Sequence, residues 1–175
     1  YINDDFTLTD KGKICANIHE IHSQAMADII DKGVLDVLSP EEIVAVMSVF
    51  TPIRLSDEDK YVTVDYINCN SNIIQTVKEI KHSLDYWYDI ETKYQTSFSQ
   101  EYDIQYDMCE FMFQWCMAET EEQCIKIYNN AKQFNIYIGE FVKAILKIKN
   151  MCKELEQACQ IKENTGLLNK LSKIP

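Results

Sequence analysis

Apolar residues recur along this chain at the three- and four-residue steps of helices, most regularly in residues 139–160. There Phe141, Ile145, Ile148, Cys152, Leu155 and Cys159 follow one another at steps of four, three, four, three and four. That is the apolar seam of one long amphipathic helix. Lys143, Lys147, Asn150 and Glu154 keep helical spacing away from the seam, with Lys149 and Lys153 to one side. One face is predicted to enter a bundle and the other to present a mostly basic, polar surface. Spacing alone favours reading that surface as a solvated face and nothing more.

The same pattern places the other elements. Residues 1–9 alternate weakly through Ile2, Phe6 and Leu8, as in a strand remnant of a preceding module. Thr9 or Asp10 caps a helix from Lys11 that buries Ile14, Ile18, Ile21, Ala25, Ile29 and Ile30 and ends at Lys32-Gly33. Ser39-Pro40-Glu41-Glu42 reads as a capping box with proline at the first helical position, followed by Ile43, Val44, Val46, Met47 and Phe50. Residues 51–69 form a loop excursion with an acidic cluster at Asp57-Glu58-Asp59. Its short alternating piece at 61–64 is expected to be irregular and not a strand.

Asn70 or Ser71 then caps a long helix with the seam Ile73, Val77, Ile80, Leu84, Trp87 and Tyr94, which Glu91 interrupts. After a connector at 97–100, residues 101–118 are predicted helical, with Tyr102, Met108, Phe111, Met112, Trp115 and Cys116 crowded on them. Thr120 caps a helix to Phe134 with Cys124, Ile127 and Tyr128 inside, and Thr165 caps a last one bearing Leu167, Leu168 and Leu171. The class is all-α: a multi-helix bundle.

Composition narrows the function. At 175 residues the chain suits one domain, and with Gly 4 and Pro 3 little interrupts its helices. A formal net charge of −11 argues against nucleic-acid binding by the whole surface. The charge is uneven, however: residues 139–175 hold seven Lys against four Glu, and the rest holds ten Lys and Arg against 24 Asp and Glu. A polyanion contact therefore belongs at the C-terminal helix. Seven cysteines without CxxC spacing fit free thiols in a reducing compartment. No apolar run has the length of a membrane span, and no signal-peptide pattern appears. The chain reads as an excised piece of a longer protein.

Catalytic motifs are lacking. There is no GxxxxGKS/T loop for a triphosphate, no GxSxG and no HExxH, and the four glycines suit helix ends. His19 and His22, three apart, could share a metal ion only with a third ligand from elsewhere, so surface histidines are the better reading. The carboxylate pairs Asp28/Asp31 and Asp107/Glu110 are expected to be solvated helix surface.

Two stretches say more. Residues 8–50 contain Lys11-Gly12-Lys13, Lys32-Gly33, Leu38-Ser39-Pro40-Glu41-Glu42 and the helix Ala45 to Phe50. In that order they resemble the start of the C-terminal helical (DSHCT) domain of exosome-associated, superkiller-type DExH-box RNA helicases. The second stretch runs from Gly139 through the long helix to Glu163-Asn164-Thr165-Gly166-Leu167, and is similar to that family's long helix and the turn after it. Trp115-Cys116-Met117-Ala118-Glu119 resembles a third family segment.

The resemblance implies a DSHCT-like bundle over residues 10–175, preceded at 1–9 by the end of a winged-helix module. It implies one long, central, ratchet-like helix that guides single-stranded RNA as the bundle packs on RecA-like motor domains of the same polypeptide. ATP and magnesium would be bound by the parent chain, with no ATP site or other cofactor in this piece. The family's Arg and Glu contact pair falls on Lys147 and Asn150, and the adjoining Arg on Leu146. The implied RNA-binding residues are Lys143, Lys147, Asn150, Lys149 and Lys153. A monomeric piece, a cytoplasmic or nuclear location and a large-DNA-virus member of the family are also expected. The competing reading is a helical protein–protein docking module whose acidic residues 1–138 meet a basic partner, without nucleic-acid contact.

Overall fold

The structure is a computed structural model that describes residues 1–55, 60, 63–96 and 102–174. Eight α-helices make up the described part: α1 Asp10–Ala16, α2 Ser23–Asp31, α3 Pro40–Met47, α4 Ser71–Tyr94, α5 Cys109–Met117, α6 Glu121–Gln133, α7 Ile138–Ile161 and α8 Thr165–Leu171. Single 3-10 turns lie at Val34–Val37, Ser48–Phe50 and Val64–Tyr66. Among the described residues the only β feature is an isolated bridge between Ile2 and Leu8. The expected all-α bundle with a long helix is what forms, and α4 matches α7 in length at 24 residues each.

The hub is α3. Ile43, Val44, Ala45, Val46 and Met47 are all buried, because α3 is surrounded by α4, α5, α7 and α8. Its capping box forms as predicted: Ser39 Oγ accepts from the Glu42 amide, and Glu42 Oε2 accepts from the Ser39 amide at 2.7 Å. Glu42 also reaches further. Its Oε1 accepts from Asn70 Nδ2 at 2.6 Å, and Asn70 Oδ1 in turn caps α4 at the Ile73 amide. One carboxylate thus ties the starts of α3 and α4 together, which explains its near-complete burial.

The predicted single helix from Lys11 to Lys32 is instead two. It breaks over residues 17–22, between α1 and α2. Ile18 and Ile21 stay buried across the break, so apolar periodicity persisted where the helix did not. His22 restarts the helix, its Nδ1 accepting from the Ala25 amide at 3.2 Å. Gly33, at φ 68°, takes the left-handed position expected of it after α2. Gly12 lies in α1 where a Cβ would strike the Tyr1 carbonyl, so Tyr1 lies directly against α1, while residues 2–8 are exposed.

Three further expectations are corrected. Residues 102–106 are not helical, because Gln105 is bonded elsewhere: its amide donates to Val49 O at 2.9 Å and its side-chain Oε1 accepts from the Ile53 amide at 2.9 Å. Asn164, not Thr165, caps α8, through Oδ1 and the Leu167 amide at 3.0 Å. In α4 the buried line passes through Glu91, and Tyr94 projects into solvent. The acidic cluster Asp57-Glu58-Asp59, Tyr61 and Val62 of the alternating piece, and the 97–100 connector lie outside the described residues.

Candidate nucleic-acid interface

α7 runs unbroken for 24 residues and buries Phe141, Ala144, Ile148, Met151, Cys152, Leu155, Ala158 and Cys159. The seam is wider than predicted and displaced towards Ala144, Met151 and Ala158, leaving Ile145 half-buried. Trp115 of α5 meets Phe141 edge-on at 4.9 Å, fixing the first turn. At the other end Glu163, at φ 56°, stops the helix and α8 folds back on it.

The predicted polar ladder splits when packed. Glu154 Oε2 accepts from the backbone amides of His19 and Glu20, both at 3.1 Å, and so satisfies the donors exposed by the break between α1 and α2. Asn150 Nδ2 donates to Glu20 Oε1 at 3.3 Å on the same link. Lys147 is half-buried along that flank. Lys143 is exposed and pairs with Glu140 at 3.1 Å, one turn earlier. Lys149 and Lys153 are exposed on the opposite flank. Among the described residues no carboxylate lies within ion-pair distance of Lys147, Lys149 or Lys153.

Other C-terminal lysines hold the fold. Lys162 Nζ donates to Ile30 O at 3.0 Å and pairs with Asp31 at 3.2 Å, covering the carbonyl end of α2. Lys170 Nζ donates to Asp36 O at 2.6 Å. The surplus of lysine after residue 139 is therefore divided between clamps and an open helix surface.

The chemistry expected of the remaining candidates changes in place. His19 is exposed but His22 is 2 % exposed, so the two do not present a shared site. His22 Nε2 faces Glu91 Oε1 at 3.7 Å, and its ring lies 4.6 Å from that of Tyr102. Burial pushes the imidazole pKa down, against the opposing pull of Glu91. Among the described residues no group of three His, Cys, Asp or Glu side chains is placed to hold a metal ion.

Asp28 and Asp107, expected on the surface, are 8 % and 4 % exposed. Tyr1 Oη (2.9 Å), Trp87 Nε1 (2.8 Å) and Lys11 all donate to the Asp28 carboxylate. Burial would raise its pKa, but those three hydrogen bonds outweigh it and hold the group below the usual range. Sequence reasoning missed this cluster because its members lie far apart in the chain.

The whole chain then meets a known pattern: the family model for the DSHCT (NUC185) domain matches residues 5–174. The chain belongs to the DSHCT family. This domain occurs in superkiller-type DExH helicases, where it is the C-terminal domain. No curated protein matches the chain significantly. No helix among the described residues is long and apolar enough to cross a membrane. Of the residues that the resemblance singled out on α7, Lys147 is half-buried, Asn150 is tethered to Glu20 and Leu146 is exposed.

Proposed function

We propose that this DSHCT domain closes the C-terminal side of an ATP-dependent DExH-box RNA helicase, packs on the RecA-like motor domains of the same polypeptide, and guides single-stranded RNA along α7. The observation that carries the reading is α7 itself: a continuous helix, gripped from behind by α1, α3 and α8, with exposed lysines on its free side. A polyanion released by a motor would meet Lys149 and Lys153 on the open flank and the exposed Lys143, with the half-buried Lys147 and the tethered Asn150 at the edge where α7 meets the α1–α2 link. ATP and magnesium belong to the motor domains in this reading. Among the described residues, Gly33 serves a helix end and Gly12 is wedged beneath Tyr1, so neither is free to line a phosphate loop. The work would be done in the cytoplasm or nucleus.

The test is a titration of labelled single-stranded RNA at low salt. Wild-type protein is expected to bind weakly, and Lys143→Glu/Lys147→Glu to bind about tenfold less tightly, because each reversal removes a counterion-releasing contact and adds repulsion. Equal binding by the two proteins would remove α7 as the RNA guide.

A further inference from the structure

The bundle carries free thiols on several helices, and two of them meet. Cys69 directly precedes Asn70, the cap of α4, and Cys109 is the first residue of α5. The chain beside each is anchored: Ile67 and Met108 are buried, and the Cys109 amide donates to Tyr106 O at 3.0 Å. The two thiols, remote in sequence, are hydrogen-bonded to each other. Cys69 is half-buried and still reached by solvent, whereas Cys109 is fully buried with Ser48 against it.

The pair is unequal. The hydrogen bond from Cys109 draws the Cys69 pKa below the ordinary thiol range, outweighing both burial and the nearby Glu110 charge. The same bond, together with burial, pushes the Cys109 pKa up. A reactive thiol needs a lowered pKa and access to its reagent. Cys69 has both, with a second thiol already against it. Elsewhere burial pushes Cys116 and Cys159 up to about 11 and Cys152 up to about 12, which favours the unreactive thiol form.

We propose that Cys69 and Cys109 are a peroxide-responsive pair that closes to a disulfide and clasps the start of α4 to the start of α5. The Cys69 thiolate attacks one oxygen of hydrogen peroxide, the O–O bond breaks, and the departing hydroxide takes up a proton as water. Cys69 is left as a sulfenic acid. The Cys109 sulfur then attacks the Cys69 sulfur, the S–S bond forms, the S–O bond breaks, and the displaced hydroxyl leaves with the Cys109 proton as a second water. Each sulfur gives up one electron and the peroxide takes both. A cellular thiol reductant reverses the bond by exchange. The clasp is independent of RNA guiding. It closes a long loop containing all of α4, so it restricts the unfolded chain and braces α4 and α5 beside α3.

The experiment treats the reduced 175-residue chain with a small excess of hydrogen peroxide at pH 7 and maps its peptides without reductant by mass spectrometry. A Cys69–Cys109 peptide pair lacking two hydrogens is expected, and dithiothreitol should abolish it. The melting temperature should rise by about 5–10 °C on oxidation and return on reduction. Iodoacetamide should label Cys69 about tenfold faster than Cys116, Cys152 or Cys159. Cys69→Ser should lose the bond and the temperature rise. In Cys109→Ala the Cys69 sulfenic acid should persist and be trapped by dimedone. If that core variant does not fold, wild type and Cys69→Ser decide the matter alone. Bonds between other cysteines, peroxide leaving both thiols free, or an oxidised protein that melts with the reduced one overturns the clasp.

Discussion

The His22 imidazole is buried with its Nδ1 already accepting from Ala25, so a second proton would have to displace that bond. Because burial lowers its pKa below the ordinary 6.5, the folded state favours the neutral ring. Its contribution to stability is therefore full above the unfolded pKa and falls away as pH drops towards the folded one. Asp28 has the same sign at lower pH: its folded pKa is depressed, so its contribution is present above the unfolded value of 3.8 and is lost as pH falls through the folded value. Urea unfolding between pH 7 and pH 3 should show two successive losses. His22→Gln should flatten the first and lower stability at pH 7 by about 1 kcal/mol through the lost cap. Asp28→Ala should cost about 3 kcal/mol at pH 7, with a shrinking penalty below pH 4, because Lys11 loses its buried partner. An unchanged pH profile in His22→Gln would show that the ring does not titrate this way. None of this was legible in the sequence, where His22 looked like half of an exposed pair and Asp28 like surface. Burial of a polar group is decided by what arrives from elsewhere.

At the scale of elements, local chemistry wrote the caps and distant chemistry wrote the breaks. Ser39, Thr120 and Asn70 cap as expected because a cap needs only a side-chain oxygen and an amide three residues on. The break after α1 has only the His22 cap as a local signature, on a residue type that is an uncommon cap. Ile14, Ile18, Ile21 and Ala25 are all buried, and the carboxylate that stabilises the break comes from Glu154, more than 130 residues later. Glu154→Ala should cost about 1–3 kcal/mol, since it strands two backbone donors. Glu154→Gln, which keeps an acceptor, should cost less. Amide exchange at His19 and Glu20 is the direct readout. Acceleration in Glu154→Ala well beyond the global change is expected, and exchange as slow as in wild type would show that the carboxylate does not hold the link. Residues 102–106 follow the same logic, because Gln105 exchanges helix for contacts to Val49 and Ile53.

Across the whole molecule, charge and shape point the same way. All of the acidic surplus precedes residue 139, so a bound strand should be confined to one side. Photo-crosslinking of 4-thiouridine RNA to this DSHCT domain is expected to mark α7 between residues 138 and 153, with binding that falls with salt at a log–log slope of about −2 to −3 for three or four lysines. Crosslinks concentrated on α4 or α6 would contradict that geometry. What the sequence by itself determined was the helical class, the caps of α3, α4 and α6, the family and the existence of an amphipathic α7, because these depend on residues a few positions apart. It could not say which polar flank of α7 stays open. Both flanks carry lysines at helical spacing, and the choice was made only when the link between α1 and α2 came to rest on Asn150 and Glu154. Tertiary contact closed one flank and left the line from Ile138 through Leu146 to Lys153 facing outward.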